Sequence, residues 1–312
     1  MISLYDACKL CPNKCGVNRN KGELGVCRMT SDVRIAWSGL HRGEEPPITG
    51  EHGSGMIFFT GCPLHCQYCQ NRQISGSDGS NNGYDVTIEE LAEIMLSLEK
   101  QGAATLNLVT GTHYIPSIVE ALEIAKGRGF SLKTVWNSSG YEDVEALKLI
   151  DPYIDIYLLD CKSLSKRVCR DFCGLQRYAE IIKPVMEFVK STHPYTDLEN
   201  EMRGTVLRHL VFPGCLSQSM RFLEYYAEHY KDSFFLSFMV QFVPPLGNVD
   251  FPKMTEEDSD AVLDKVDELG IEDGYIQEMG DEILWIPDFN RDNPFPDGFA
   301  DPNPYFLSIK HR

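Results

Sequence analysis

The sequence predicts an α/β fold, a partial barrel of about six β/α units, and three observations carry that expectation. From residue 56 onward, short β-rich runs alternate with amphipathic helical patterns. Residues 1–55 differ in composition, holding four cysteines and several glycines. The 288–304 stretch, rich in Pro, Asp, Asn and Phe, reads as an irregular tail hugging the surface. The expected organisation is therefore a Cys-rich N-terminal extension (1–55), a β/α barrel (56–280) and a C-terminal tail packed on it (281–312).

The elements follow in order. The apolar run 56–60 is a strand that ends directly before a cysteine loop. Thr87 and Glu90 form a capping-box pair, and Leu91, Ile94, Met95 and Leu98 recur at helical spacing, predicting a helix of about four turns. A strand at 105–110, a helix at 116–126 stopped by Gly127 and Gly129, a strand at 132–137, a helix at 142–150 and a strand at 154–160 continue the alternation. Further strands are expected at 205–212, 234–243 and 275–277, with helices at 178–190, 218–230 and 256–269. Parallel strands joined by helical crossovers place ligands at the C-terminal strand ends.

With 43% hydrophobic and 24% charged residues, a 312-residue chain can bury a core of its own. A net charge of −17 argues against nucleic acid or an anionic membrane as the main partner, since those contacts need clustered Lys and Arg. No apolar run suits a membrane span and the first ten residues do not form a signal peptide, so a cytoplasmic setting is expected. There thiols stay reduced, and eleven cysteines read as ligands, reactive groups or packed side chains. Seven of the eleven precede residue 70.

Cys62, Cys66 and Cys69 stand in the loop Gly61-Cys62-Pro63-Leu64-His65-Cys66-Gln67-Tyr68-Cys69. Three thiolates can occupy three corners of a [4Fe–4S] cubane, whereas an ordinary electron carrier uses four. The fourth iron is then left for another ligand. A structural zinc knuckle competes, but it wants four ligands and usually a distant second pair. His65 is adjacent to Cys66 and reads as a loop-packing or exposed residue.

The Cys-x3-Cys-x2-Cys spacing resembles the signature of the radical S-adenosylmethionine (SAM) superfamily. The resemblance extends over nearly the whole chain to the pyruvate formate-lyase activating enzyme-like branch and its PflX-type members. It implies that SAM chelates the open iron and is cleaved reductively to a 5′-deoxyadenosyl radical, which takes hydrogen from a substrate. The substrate is a glycyl-radical enzyme or other protein, or else a small molecule or peptide; a non-catalytic Fe–S or zinc scaffold is the reading from another class. A reductant such as flavodoxin or ferredoxin is implied as partner.

The resemblance also implies site residues. Tyr68 takes the aromatic position beside adenine. Val109 to Tyr114 stands where a Gly-Gly-Glu-type segment touches the SAM ammonium; that glutamate is absent here, leaving backbone carbonyls or the Thr110 hydroxyl. Asn137 and Ser138 match a segment contacting the methionine carboxylate and ribose, though they also suit a plain turn closed by Gly140. Asp160 and Lys162 match an Asp-x-Lys strand end, the aspartate beside a monovalent cation and the lysine toward the SAM carboxylate. A surface ion pair is the other reading. Arg208 matches a SAM-binding arginine on a late strand, and Met239, Gln241 and Phe242 match a strand packed on adenine, although such residues also suit a core.

Cys8, Cys11, Cys15 and Cys27 reverse the order of the loop spacing and do not repeat that motif. Four thiols within twenty residues, among Gly16, Gly22 and Gly25, close a zinc site or a second Fe–S cluster, or bind nothing. Cys161, Cys169, Cys173 and Cys215 read as structural thiols, with the 169/173 pair able to neighbour the active site. His209 reads equally as packing or functional.

Overall fold

The computed structural model describes residues 1–77, 81–212, 214–240, 242–243, 255–277 and 286–312. Strand β1 (Val33–His41) runs antiparallel to β2 (Ser54–Phe59), with the short helix α1 (Pro46–Thr49) between them. Helix α2 (Arg72–Ser75) and strand β3 (Tyr84–Val86), paired to β1, follow the cysteine loop. Next come α3 (Ile88–Lys100), β4 (Leu106–Val109), α4 (Ile115–Gly127), β5 (Thr134–Ser138), α5 (Val144–Ile150) and β6 (Ile156–Asp160). Helices α6 (Lys166–Cys173) and α7 (Tyr178–Thr192) lead to β7 (Gly204–Leu210), then α8 (Leu216–His229), β8 (Phe235–Met239), α9 (Glu256–Glu268) and β9 (Gly274–Gln277). The chain ends with β10 (Ala300–Pro302) and α10 (Pro304–Lys310).

The sheet order is β10-β1-β2-β4-β5-β6-β7-β8-β9, and every pairing from β2 to β9 is parallel. Its two ends, β10 and β9, do not pair among the described residues, so the barrel is partial and its sheet is not closed. The six crossovers from β2 to β9 match the expected β/α units. The capping box of α3 forms as its sequence predicts: Glu90 N–H donates to Thr87 Oγ1 at 3.1 Å, and Thr87 N–H donates to Glu90 Oε2 at 2.9 Å.

Alternation along the strands sorts two cores. Tyr157, Leu159 and Leu207 face the helices, while Val135, Ile156, Leu158 and Val206 face inward and pack on Ile48 of α1, which floors the barrel. Glu45 precedes α1 as its N-cap residue, and the two prolines after it suit a first helical turn that needs no N–H donors.

The tail packs on the β1 side of the sheet. Phe289 and Phe295 are buried against Trp37, Met56, Phe58 and Val109, and β10 pairs with β1. β1 itself extends the barrel sheet from within the N-terminal 55 residues. No helix among the described residues is long and apolar enough to cross a membrane.

Candidate SAM and iron–sulfur site

The loop after β2 enters at Gly61, whose φ of +87° and close neighbours, Met29 Cγ at 2.5 Å and Cys27 O at 2.7 Å from a hypothetical Cβ, admit only glycine. Cys62, Cys66 and Cys69 then face one cavity of about 330 Å³. Burial, reinforced by the neighbouring thiols, pushes the Cys62 thiol up to about 12 and Cys69 up to about 11. Cys66 is buried and Cys62 and Cys69 are half-buried, and thiols crowded together in this way are suited to a site where a polynuclear cation compensates their charge. The donor set thus fits a three-thiolate [4Fe–4S] cluster.

The strand ends place the other residues. Asp160 and Lys162 both line the cavity and pair at 2.5 Å, each side chain less than one-fifth exposed; this is no surface ion pair. Burial works against the Lys162 ammonium, but Asp160 and Cys66 hold it above its ordinary value. Its Nζ sits 5.8 Å from the Tyr68 ring centre, and the Tyr68 hydroxyl is buried without a hydrogen-bond partner. Thr110 lines the cavity with φ at +59°, a left-handed conformation costly for a β-branched residue and typical of functional sites. Asn137 and Met239 also line it; Phe242 packs 6.0 Å from Tyr68, and Gln241 lies outside the described residues.

Ser138 is placed differently. Its hydroxyl donates to Glu142, and the neighbouring Ser139 lines the cavity instead. Glu142 is fully buried, accepts also from Thr112 Oγ1 (2.7 Å) and Trp136 Nε1 (3.3 Å), and leaves Oε2 without a partner. It ties the loops after β4 and β5 together. Burial outweighs these donors and pushes its pKa up to about 7. Because the folded value exceeds the ordinary carboxylate value, its contribution to stability is greatest at low pH and falls as pH rises from about 4.5 to about 7. Glu142→Gln keeps an acceptor and removes that fall, on the order of 3 kcal/mol. Denaturant midpoints measured at pH 5 and pH 8 should differ less in the variant than in the parent.

Arg208 also lines the cavity, and its partners are two acids from the N-terminal 55 residues. Its Nε donates to Glu45 Oε1 at 2.8 Å, and its Nη2 reaches both Glu44 and Glu45 at 2.5 Å. Asn137 Nδ2 lies 3.5 Å from Glu44 Oε2, and His41 Nδ1 3.8 Å from Glu44 Oε1. The two acids precede α1 and rise from the barrel floor; adjacent acids before Pro-Pro were their only mark in the sequence.

Other residues fall outside the cavity. His209 packs on Phe222 at 4.0 Å between ring centres, with Nδ1 2.8 Å from Cys161 O and Nε2 3.0 Å from Ser219 Oγ. Burial lowers its pKa to about 4 and keeps it neutral. His65 Nε2 lies 2.7 Å from Val26 O, a loop-packing contact. Cys173 shares a hydrogen bond with Cys66, so the second turn of α6 does neighbour the site.

Residues 56–240, more than half of the chain, match the model of the radical SAM superfamily. The chain belongs to the radical SAM superfamily. An uncharacterised protein of Methanocaldococcus jannaschii, MJ0674, is 25% identical over 280 residues, 86% of this chain and 77% of that one. Among solved structures, anSMEcpe with bound AdoMet matches with a TM-score of 0.51 at 14% identity, covering 70% of this chain and 61% of that chain. A radical SAM methyltransferase from Sphaerobacter thermophilus matches with a TM-score of 0.51 at 9% identity, covering 74% and 68%. SuiB of Streptococcus suis bound to S-adenosylmethionine matches over 70% of this chain but only 48% of its own length, with a TM-score of 0.48 at 13% identity. This radical SAM protein therefore shares the family's partial barrel, and the family implies an enzyme with a [4Fe–4S] cluster and SAM.

Proposed function

We propose that this radical SAM protein is a hydrogen-abstracting enzyme of the PflX-type branch, acting on a small molecule or short peptide seated over Glu44, Glu45 and Arg208. The observation that carries this reading is the convergence of Cys62, Cys66, Cys69, Thr110, Asn137, Asp160 and Lys162 on one cavity. When bound, the cluster and SAM supply a 5′-deoxyadenosyl radical. Lys162 offsets the charge of the thiolates and of a carboxylate. Asp160 serves as the seat of a monovalent cation. Thr110 and Asn137 offer neutral hydrogen-bonding groups. Asp160 and Glu44 both line the cavity, so carboxylate charge is present there although the Gly-Gly-Glu-type glutamate is absent.

The tail favours a small substrate over a protein loop. Phe295 and Phe299 line the cavity from the β1 side, and Phe295 packs on His41, Trp37 and Phe58, so aromatic groups occupy that flank of the barrel. The polar floor carries two carboxylates against one guanidinium, which suits a substrate with a cationic or donor group. An external one-electron donor such as flavodoxin or ferredoxin completes the system.

Anaerobic reconstitution with iron and sulfide, then reduction in the presence of SAM, is expected to yield 5′-deoxyadenosine and methionine. Extract from cells grown in deuterated medium, divided by size, should transfer deuterium into 5′-deoxyadenosine from the small-molecule fraction. Label arising only from the macromolecular fraction would instead support activation of a glycyl-radical enzyme or another protein. No 5′-deoxyadenosine at all overturns the enzyme reading.

A further inference from the structure

The N-terminal segment brings its own thiols together beside the first set. Cys8, Cys11 and Cys27 are buried and Cys15 half-buried, and Cys11 lies within electrostatic reach of the other three. A Cβ placed on Gly25 would stand 3.1 Å from Cys15 Sγ and 3.5 Å from Cys27 Sγ. Both sulfurs thus lie close over the Cα of Gly25. The sulfurs of Cys11 and Cys27 each receive a backbone N–H two residues on, from Asn13 and Met29.

A second, independent observation is Arg19. It is completely buried, and among the described residues no carboxylate pairs with it. Its guanidinium donates to the carbonyls of Met29 (3.1 Å), Thr30 (2.6 Å) and His113 (2.5 Å), lies between the Tyr5 and Tyr114 rings, and points Nη1 at Cys8 Sγ from 3.8 Å. A buried cation without a counter-charge is costly. Cys8 and Cys27 are among the groups acting on it. Four thiolates around a metal cluster leave a net negative charge at the place this cation requires.

A set of four cysteines suits one tetrahedral zinc or an iron–sulfur cluster, and its place against the loop that carries Cys62 favours the redox-active centre. We infer that Cys8, Cys11, Cys15 and Cys27 together ligate a second iron–sulfur cluster, with Arg19 as its buried counter-charge, packed against the loop that carries Cys62. The packing is direct: Cys27 O abuts Gly61, Val26 O meets His65, and Asn13 Nδ2 donates to Pro63 O at 2.7 Å.

The test separates this cluster from the first. In the full chain carrying Cys62→Ala, Cys66→Ala and Cys69→Ala, anaerobic reconstitution should leave iron and sulfide in equal amounts, about two to four of each per chain. Its reduced EPR signal should be unchanged by SAM. Cys11→Ser with Cys15→Ser should lose that iron while keeping a SAM-responsive signal. In the triple variant, Arg19→Gln should make the cluster's reduction potential more negative, and Arg19→Lys should restore it in part. A triple variant that holds no iron, or that holds one zinc per chain in its place, overturns the second cluster; an unchanged potential in Arg19→Gln overturns the role of Arg19. Loss of SAM cleavage in the parent with the second cluster intact would count against the proposed function alone.

Discussion

Cys66→Ala is expected to reduce 5′-deoxyadenosine formation to the level of a protein-free control while the protein remains folded. Cys66 contributes one of three thiolates facing the cavity, and two cannot hold a cubane that still presents an open iron. Cys66 is buried, but its side chain is a single sulfur, and removing that atom costs less stability than truncating a large core side chain. Circular dichroism and the denaturant midpoint should therefore change little, whereas iron content and the charge-transfer absorbance should fall. Cys173 sharpens the experiment because it hydrogen-bonds to Cys66. If it takes over as a ligand, Cys66→Ala will retain iron that Cys66→Ala/Cys173→Ala loses. Cys173→Ala alone should keep full activity, because Cys173 stands outside the loop spacing. Undiminished 5′-deoxyadenosine from Cys66→Ala would refute the assignment of the three-cysteine loop.

The barrel was legible wherever a strand or helix expressed a local periodicity. The capping box at Thr87 and Glu90, the helical spacing of Leu91 to Leu98 and the apolar runs of β4 to β7 each correspond to an element found within a few residues of its expected bounds. β1 was not read because all but one of its nine residues are buried, and its Ser38-Gly39 interruption hides the alternation of a half-exposed strand. The short helix α6 was missed because a capping Ser165 and a left-handed Gly174 bracket only eight residues. β10 depends on an edge supplied by β1, more than 250 residues earlier, which no local pattern encodes. The same division applies to the site. Cys62, Asp160 and Lys162 are marked by local spacing, but Glu44 and Glu45 meet Arg208 only through closure of the barrel.

Arg208→Ala is expected to destabilise the fold by about 3–5 kcal/mol at neutral pH, because it leaves Glu44 and Glu45 buried without their cation. Burial alone would raise the Glu45 pKa, yet the charge and hydrogen bonds of Arg208 hold it below the ordinary carboxylate value. In the parent, the stability this provides is present above the ordinary value and is lost as pH falls through the lower folded value. In Arg208→Ala the opposing cation is gone and burial dominates, so the folded value rises above the unfolded one. The variant should then gain stability from Glu45 as pH falls toward about 5, where the parent gains none from it. Arg208→Lys keeps the charge but not the two-sided guanidinium contact, and should fall between the two. Denaturant midpoints for the three proteins from pH 4.5 to pH 8 check the sign. A small destabilisation with a parent-like pH profile would mean that water screens the carboxylates, and the floor of the cavity would be wet and weakly charged rather than a fixed electrostatic surface for the substrate.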